Sequence, residues 1–168
     1  KTTEFGIYQK ALSNNAASIL TSLQLETKSA EEKAEAVYKY VTMNYNWNGY
    51  YGKFATQSGK DFLKAKTGNT ADVNLFLAAL LNTAGIQANP VLISTRDHGK
   101  IYKNYPFEKF LNYVIVMVRI NDKQILLDAT EPLCPFGVLP SRCINETGLI
   151  ANKEEEEWIN IDDNSLSE

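Results

Sequence analysis

The stretch Val73–Ala84, VNLFLAALLNTA, restricts this chain more than any other. Val73, Phe76, Leu77, Leu80, Leu81 and Ala84 recur at threes and fours, the period of a helix. Leu75 and Ala79 lie off that stripe and are apolar too. A helix that is apolar nearly all round is stable in water only when other elements cover it on every side. Gly85 ends the run, because glycine accepts the left-handed backbone that follows a helix C-terminus. The rest of the chain must therefore be arranged around one central helix, and 168 residues suffice for a single domain of that kind.

The flanking sequence supplies suitable layers. Phe5, Tyr8, Leu12, Ile19, Leu20 and Leu23 make one face of a first helix, with Ala16 and Ala17 between them. Ser29-Ala30-Glu31-Glu32 fits a capping box, with a serine at the cap and a glutamate three residues on. It opens a second helix along Ala30, Ala34, Val37, Tyr38, Val41 and Tyr45. Asn44–Gly52 is rich in Asn, Gly and aromatic residues and reads as a loop. Ser58-Gly59-Lys60-Asp61 starts a short helix whose apolar side is Phe62 and Leu63.

Beyond Gly85 the pattern changes to strands. Gln87–Thr95 is a strand, Arg96–Lys100 a turn, and Tyr102–Lys109 a loop around Pro106. Phe110–Ile120 is a strong strand, Asn121–Lys123 a hairpin turn, and Gln124–Asp128 the returning strand. Pro132, Pro135, Gly137 and Pro140 make an irregular stretch, and Gly148–Ala151 and Trp158–Ile161 are two further short strands. Helices first and an antiparallel sheet afterwards is the α+β pattern. No repeat or linker splits residues 1–168, so one domain is expected.

Charge and rare residues exclude several functions. Lys and Arg total 17 against 20 Asp and Glu, a formal charge of −3, and the lysines are scattered. A general nucleic-acid binder carries a basic stripe instead. No apolar stretch approaches the ~18 residues of a membrane span. One histidine, His98, and two cysteines, Cys134 and Cys143, are too few for a Cys/His zinc site or a disulfide scaffold. No metal and no cofactor is expected. The chain begins at Lys1 and ends in a polar tail without a signal-peptide pattern, as an excised domain or a processed chain would.

Two strands carry polar residues that packing does not require: Asn112-Tyr113 within FLNYVIVMV, and Asp128 at the end of ILLD, before Ala129-Thr130. Gly68, read as a tight turn, leads into Asn69-Thr70-Ala71-Asp72 at the start of the central helix. In this order, with Ala84-Gly85-Ile86 closing the helix and with Phe110-Leu111-Asn112-Tyr113-Val114-Ile115 and Leu126-Leu127-Asp128-Ala129-Thr130 following it, the chain resembles the core of the transglutaminase-like superfamily over about residues 30 to 150. The resemblance implies a papain-like cysteine-enzyme fold.

In that family a cysteine at the helix start attacks an acyl group, a histidine on the next strand takes its proton, and an aspartate on the following strand orients the imidazole. A helix N-terminus suits a thiolate. On the matching positions this sequence has Thr70 for the cysteine, Tyr113 for the histidine, and an unchanged Asp128. An internal threonine lacks the terminal amine that activates threonine nucleophiles, and tyrosine with a pKa of about 10 is a donor at neutral pH. The resemblance then implies a degenerate, non-catalytic module. Its inherited cleft would use Trp47, Tyr50, Asn69, Thr70, Asn112 and Tyr113 to bind a peptide, protein or glycan, such as a cell-envelope polymer, or it would scaffold a larger chain. The alternative is an acyl-transfer enzyme, a peptidase, amidase or cross-linking transglutaminase, with a non-standard nucleophile. The family also suggests a bacterial, periplasmic or extracellular setting and further domains in a parent chain.

Each residue also has a plainer reading. Thr70 suits a helix cap, Tyr113 a half-buried strand tyrosine, and Asp128 a strand-end turn. His98 sits in a charged turn and reads as solvated unless its loop folds over the helix start. Cys134 and Cys143 are free thiols, a loop-closing disulfide, or a displaced nucleophile. The run Tyr45, Trp47, Tyr50, Tyr51 and Phe54 is either core or a groove platform. Asn145-Glu146-Thr147 matches a glycosylation acceptor, and Glu154–Glu157 is a solvated charge run. If the site reading holds, Asp128 lies beside Tyr113, and its carboxylate takes a hydrogen bond from Tyr113, Thr70 or Asn112.

Overall fold

The computed structural model describes residues 4–102, 108–151 and 157–161. The centre of the 102–109 loop and all but the last residue of the acidic run at 154–157 lie outside them, and of Phe5 only the backbone is described. Four helices come first: α1 (Glu4–Ser22), α2 (Ala30–Asn44), α3 (Gly59–Ala65) and α4 (Thr70–Thr83). Their starts follow from local chemistry. Ser29 Oγ accepts the Glu32 N–H at 3.3 Å while Glu32 accepts the Ser29 N–H at 2.8 Å, the expected capping box. Ser58 caps α3 by accepting the Asp61 N–H. At α4 the cap is Asn69, which exchanges bonds with Asp72 at 2.8 and 3.0 Å. Thr70 is thus the first helical residue and not the cap. Asn69 wins because its neighbour Asp72 can return the bond to the cap N–H. Gly85, at φ +83°, turns the chain out of α4.

A two-stranded parallel ribbon joins these helices: β1 (Asn46–Trp47) pairs with β2 (Thr67–Gly68). This corrects the loop expected at 44–52. Its first half is held by long-range backbone bonds, Asn46 N–H to Lys66 O and Asn48 N–H to Gly68 O, both 2.9 Å, which no local pattern signals.

The sheet holds β3 (Gln87–Ile93), β4 (Tyr113–Ile120), β5 (Lys123–Leu127), β6 (Glu146–Ile150) and β7 (Glu157–Ile161), in the order β5-β4-β3-β6-β7 and antiparallel throughout. The strand expected from Phe110 starts three residues later, after a 3₁₀ turn at Glu108–Phe110. The reason is Asn112, whose N–H bonds Ile93 O and whose side chain is committed to Thr95, so regular pairing begins at Ile93–Tyr113.

β4 is buried on both faces, which is why it reads as an unbroken apolar run. Val114, Val116 and Val118 pack toward α4, whose residues from Thr70 to Leu81 are all buried. Tyr113, Ile115 and Met117 pack the other way, against Leu139, Cys143, Ile150, Ile159 and Ile161. At the α4 end, Tyr45, Phe62 and Phe76 form an aromatic cluster with centroids 4.6–5.4 Å apart, worth about 1 kcal/mol per pair beyond burial. The central helix is surrounded as its sequence demands.

Candidate functional site around the start of the central helix

Gly68 prepares the site by making room. A Cβ on it would stand 2.5 Å from Asp72 Cβ and 2.7 Å from Oδ2. Its φ is not positive, so the tight-turn reading is corrected: Gly68 is extended in β2, and the constraint is the close approach of Asp72. The Asp72 carboxylate, fully buried, accepts from Asn69 N–H, Thr56 N–H and Oγ1, and Gln57 N–H. It pins the end of the Asn48–Gln57 loop to the first turn of α4.

Thr70 lies under that loop, with no solvent exposure. Its hydroxyl donates to Gly52 O at 2.8 Å and accepts the Gly52 N–H at 2.9 Å. Its backbone N–H donates to Tyr50 O at 3.2 Å. Asn69 Nδ2 donates to Phe54 O at 3.0 Å.

Asp128 follows directly on β5 and lies between the two core layers. The expected partner is in place: the Tyr113 hydroxyl donates to Asp128 Oδ2 at 2.6 Å, with both side chains wholly buried. Neither Thr70 nor Asn112 reaches this carboxylate among the bonds described. Asn74 Nδ2 donates to Oδ1 at 2.9 Å, and the Thr130 N–H and hydroxyl do so at 3.0 and 2.8 Å. The Cys143 thiol points at Oδ2 from 3.3 Å. Every one of these groups donates, so the carboxylate acts purely as an acceptor. Asn74 also takes the Ala129 N–H and gives to Val114 O, tying α4 to β4 and to the end of β5.

Burial, and then the adjacent Asp128 charge, push the Tyr113 hydroxyl far above its ordinary pKa. Cys143 is pushed up by the same two causes. Both groups stay protonated over the physiological range, which suits a donor and not a base or a thiolate nucleophile. Burial works against charge on Arg142, but its hydrogen bond to Tyr113 and the nearby Asp128 carboxylate outweigh it, so the guanidinium stays charged. Arg142 Nε donates to the Tyr113 hydroxyl at 3.3 Å and Nη2 to Thr130 Oγ1 at 2.8 Å. Its guanidinium lies 4.7 Å from the centre of the Trp47 ring.

The aromatic run divides between core and surface. Tyr45 is core, whereas Tyr50 is 73% and Phe54 52% exposed. Trp47 stacks on Tyr51, with centroids 5.8 Å apart and planes 9° from parallel. Tyr51 meets the Tyr113 ring edge-on at 5.2 Å. Trp47, Tyr50, Tyr51, Asn69, Thr70 and Tyr113 therefore do meet at one end of α4. Asn112 faces elsewhere, toward Thr95. Exposed His98 contacts the Lys109 carbonyl, at 2.9 Å from Nε2, within its own loop. Cys134 and Cys143 are both free. The Asn145 amide donates to the carbonyls of Ser94 and Gly99, which leaves it holding the 94–99 turn. No group of three or more His, Cys, Asp or Glu side chains able to hold a metal lies among the described residues, and none of their helices is long and apolar enough to cross a membrane.

The sequence profile of the transglutaminase-like superfamily matches residues 17–129, well over half of the chain. The chain belongs to the transglutaminase-like superfamily. Solved structures share this transglutaminase-like fold. One is a provisionally assigned protease from Parabacteroides distasonis, with a TM-score of 0.67, 12% identity, and coverage of 96% of this chain and 30% of that one. Another is a provisionally assigned cysteine protease from Cytophaga hutchinsonii, with a TM-score of 0.55, 15% identity, and coverage of 74% and 39%. A third is described as a TGase, with a TM-score of 0.51, 11% identity, and coverage of 74% and 33%. The transglutaminase-like chain described here thus spans between 30% and 39% of the length of each. No curated protein sequence matches it.

Asn74, Thr130 and Arg142 complete the Asp128 cluster and were not among the expected site residues, and Cys143, weighed as a displaced nucleophile, joins the cluster as a donor. Asn74 had a signal: a lone amide in a helix otherwise apolar all round needs a buried partner. Arg142 and Cys143 had none, because the turn that carries them is placed by tertiary packing.

Proposed function

We propose that this transglutaminase-like domain performs no thiol chemistry and serves as a binding or scaffolding module within a longer, bacterial cell-envelope protein. The positions that match the family's cysteine and histidine carry Thr70 and Tyr113. The observation that carries the reading is the state of the Thr70 hydroxyl, engaged as donor and acceptor by Gly52 and out of solvent. A nucleophile needs access to its substrate and a base to take its proton; the Thr70 proton is committed to Gly52 O, and Tyr113 is a donor locked onto Asp128. The exposed part of the aromatic run, Tyr50 with Tyr51 and Trp47 behind it, is the surface offered to an extended peptide or a glycan of the envelope, since flat aromatic faces suit both. A periplasmic or extracellular location goes with such a ligand.

The test has two arms. An acyl-phosphonate or acyl-fluoride probe, followed by peptide mass mapping, is expected to leave Thr70 unmodified. Stoichiometric labelling of Thr70 that is lost in Thr70→Ala would refute the reading in favour of acyl transfer. Titration with peptidoglycan fragments and with extended peptides, followed by Trp47 fluorescence, is expected to give a saturable change that Tyr50→Ala weakens.

A further inference from the structure

The Tyr50 carbonyl oxygen accepts from two donors at once, the Thr70 backbone N–H at 3.2 Å and the Trp47 indole N–H at 2.9 Å. One donor belongs to the first residue of α4 and the other to β1. Two N–H groups converging on one oxygen at a helix start is the arrangement that holds a substrate carbonyl or its oxyanion. Here the oxygen belongs to the chain itself. Two residues further on, Gly52 engages the Thr70 hydroxyl through both its N–H and its carbonyl. Between them the Tyr51 ring fills the space from the Trp47 face to the Tyr113 edge. The segment therefore meets the donor pair and the hydroxyl through main-chain atoms, and the Tyr113 ring through the Tyr51 side chain.

We propose that Asn48–Gly52 is an internal strap that covers the start of α4, with the Tyr50 carbonyl in the place a substrate carbonyl would take, and that this end of α4 is uncovered only when the strap lifts as a unit. The ends of the moving piece are fixed. Asn48 N–H is held by Gly68 O on one side, and Thr56 and Gln57 are held by Asp72 on the other. Between those anchors the strap buries little. Gly49 and Tyr50 are exposed and Tyr51 is 38% exposed, so lifting it costs hydrogen bonds that water can replace and the ring contacts of one partly covered side chain, Tyr51. Such segments open below the global unfolding free energy. Gly52 is the lever: its φ is not positive, but a Cβ there would overlap the Asn69 side-chain amide, so alanine must displace either the strap or that amide with its bond to Phe54 O.

This goes beyond the binding reading and needs no ligand for its test, so either can fail without the other. Amide hydrogen exchange is measured by NMR on the intact chain. The Thr70 N–H, the Gly52 N–H and the Trp47 indole N–H are expected to share one opening free energy, with protection at least about tenfold lower than that of the Phe76 and Leu80 amides inside α4. In Gly52→Ala all three are expected to lose protection together, by about tenfold or more, with Phe76 and Leu80 unchanged. Tyr51→Ala, which removes the stack without touching α4, is expected to act in the same direction and serves if Gly52→Ala does not fold. Three unrelated opening free energies, or protection lost only together with Phe76 and Leu80, would overturn the proposal. So would a variant that frees one of the three and leaves the others protected.

Discussion

Tyr113→Phe removes a single oxygen and hardly alters the packed volume. That oxygen is the nearest donor to Asp128, at 2.6 Å, with both side chains fully buried. Without it, Asp128 Oδ2 keeps only the Cys143 thiol at 3.3 Å among the described contacts, and a thiol is a weak donor. Arg142 Nε loses its 3.3 Å acceptor as well. The three bonds to Oδ1, from Asn74 and Thr130, survive. A hydrogen bond to a charged group contributes about 1.5–3 kcal/mol, and an acceptor left short in the interior adds to the loss. The expected cost is therefore ~2–3 kcal/mol. For a chain of this length each kcal/mol moves Tm by ~2–4 °C, so Tm should fall by ~4–12 °C. Urea titration should show a lower midpoint with an unchanged slope. Tyr8→Phe is the control, because it removes a hydroxyl that donates to a neutral backbone carbonyl, Asp72 O, at 3.2 Å; about 1 kcal/mol is expected there. If Tyr113→Phe costs no more than Tyr8→Phe, the Tyr113–Asp128 contact is not the charge-assisted bond on which the account of the cluster rests. A double-mutant cycle with Asp128→Asn should give a coupling of about 1 kcal/mol or more.

Three further outcomes follow from the same geometry. Gly68→Ala places a Cβ 2.5 Å from Asp72 Cβ, so it should break the α4 capping box and release Thr56 and Gln57, at a cost of about 2–4 kcal/mol by denaturant titration. Asn74→Ala strips donors from Asp128 Oδ1 and Val114 O and an acceptor from Ala129 N–H; a loss of ~2–4 kcal/mol is expected, and a neutral result would mean that the buried amide ties nothing together. Above neutral pH the largest thiol contribution comes from Cys143, held well above its ordinary value by burial and by Asp128, with Cys134 pushed up by burial in the same direction. The folded chain then keeps a proton that the unfolded chain releases above about pH 8.5. Stability is complete below that point and falls as the pH rises, by up to ~1.4 kcal/mol per pH unit for one group. Cys143→Ser keeps a donor that does not titrate in this range, so its stability curve from pH 8.5 to 10 should be flatter than that of the parent.

The helices and the order of the layers were open to reading because they rest on local periodicity and local capping. Val73–Leu81 is apolar nearly all round, Asn74 alone excepted, and reads as a central helix, and Ser29 with Glu32, like Ser58 with Asp61, marks a helix start within four residues of chain. The family followed from the ordered motifs around Gly68, Asn112 and Asp128. The adjacency of Tyr113 and Asp128 was also legible, since a hairpin brings successive strands side by side. What could not be read is the set of contacts between residues far apart in sequence. Asn74 meets Asp128 across 54 residues, Arg142 meets Tyr113 across 29, and Gly52 closes over Thr70 across 18. A periodic pattern reports only which face of an element is apolar. Which polar groups then face each other depends on how whole elements are translated and rotated against one another, and the interior selects that arrangement by requiring every buried donor and acceptor to find a partner.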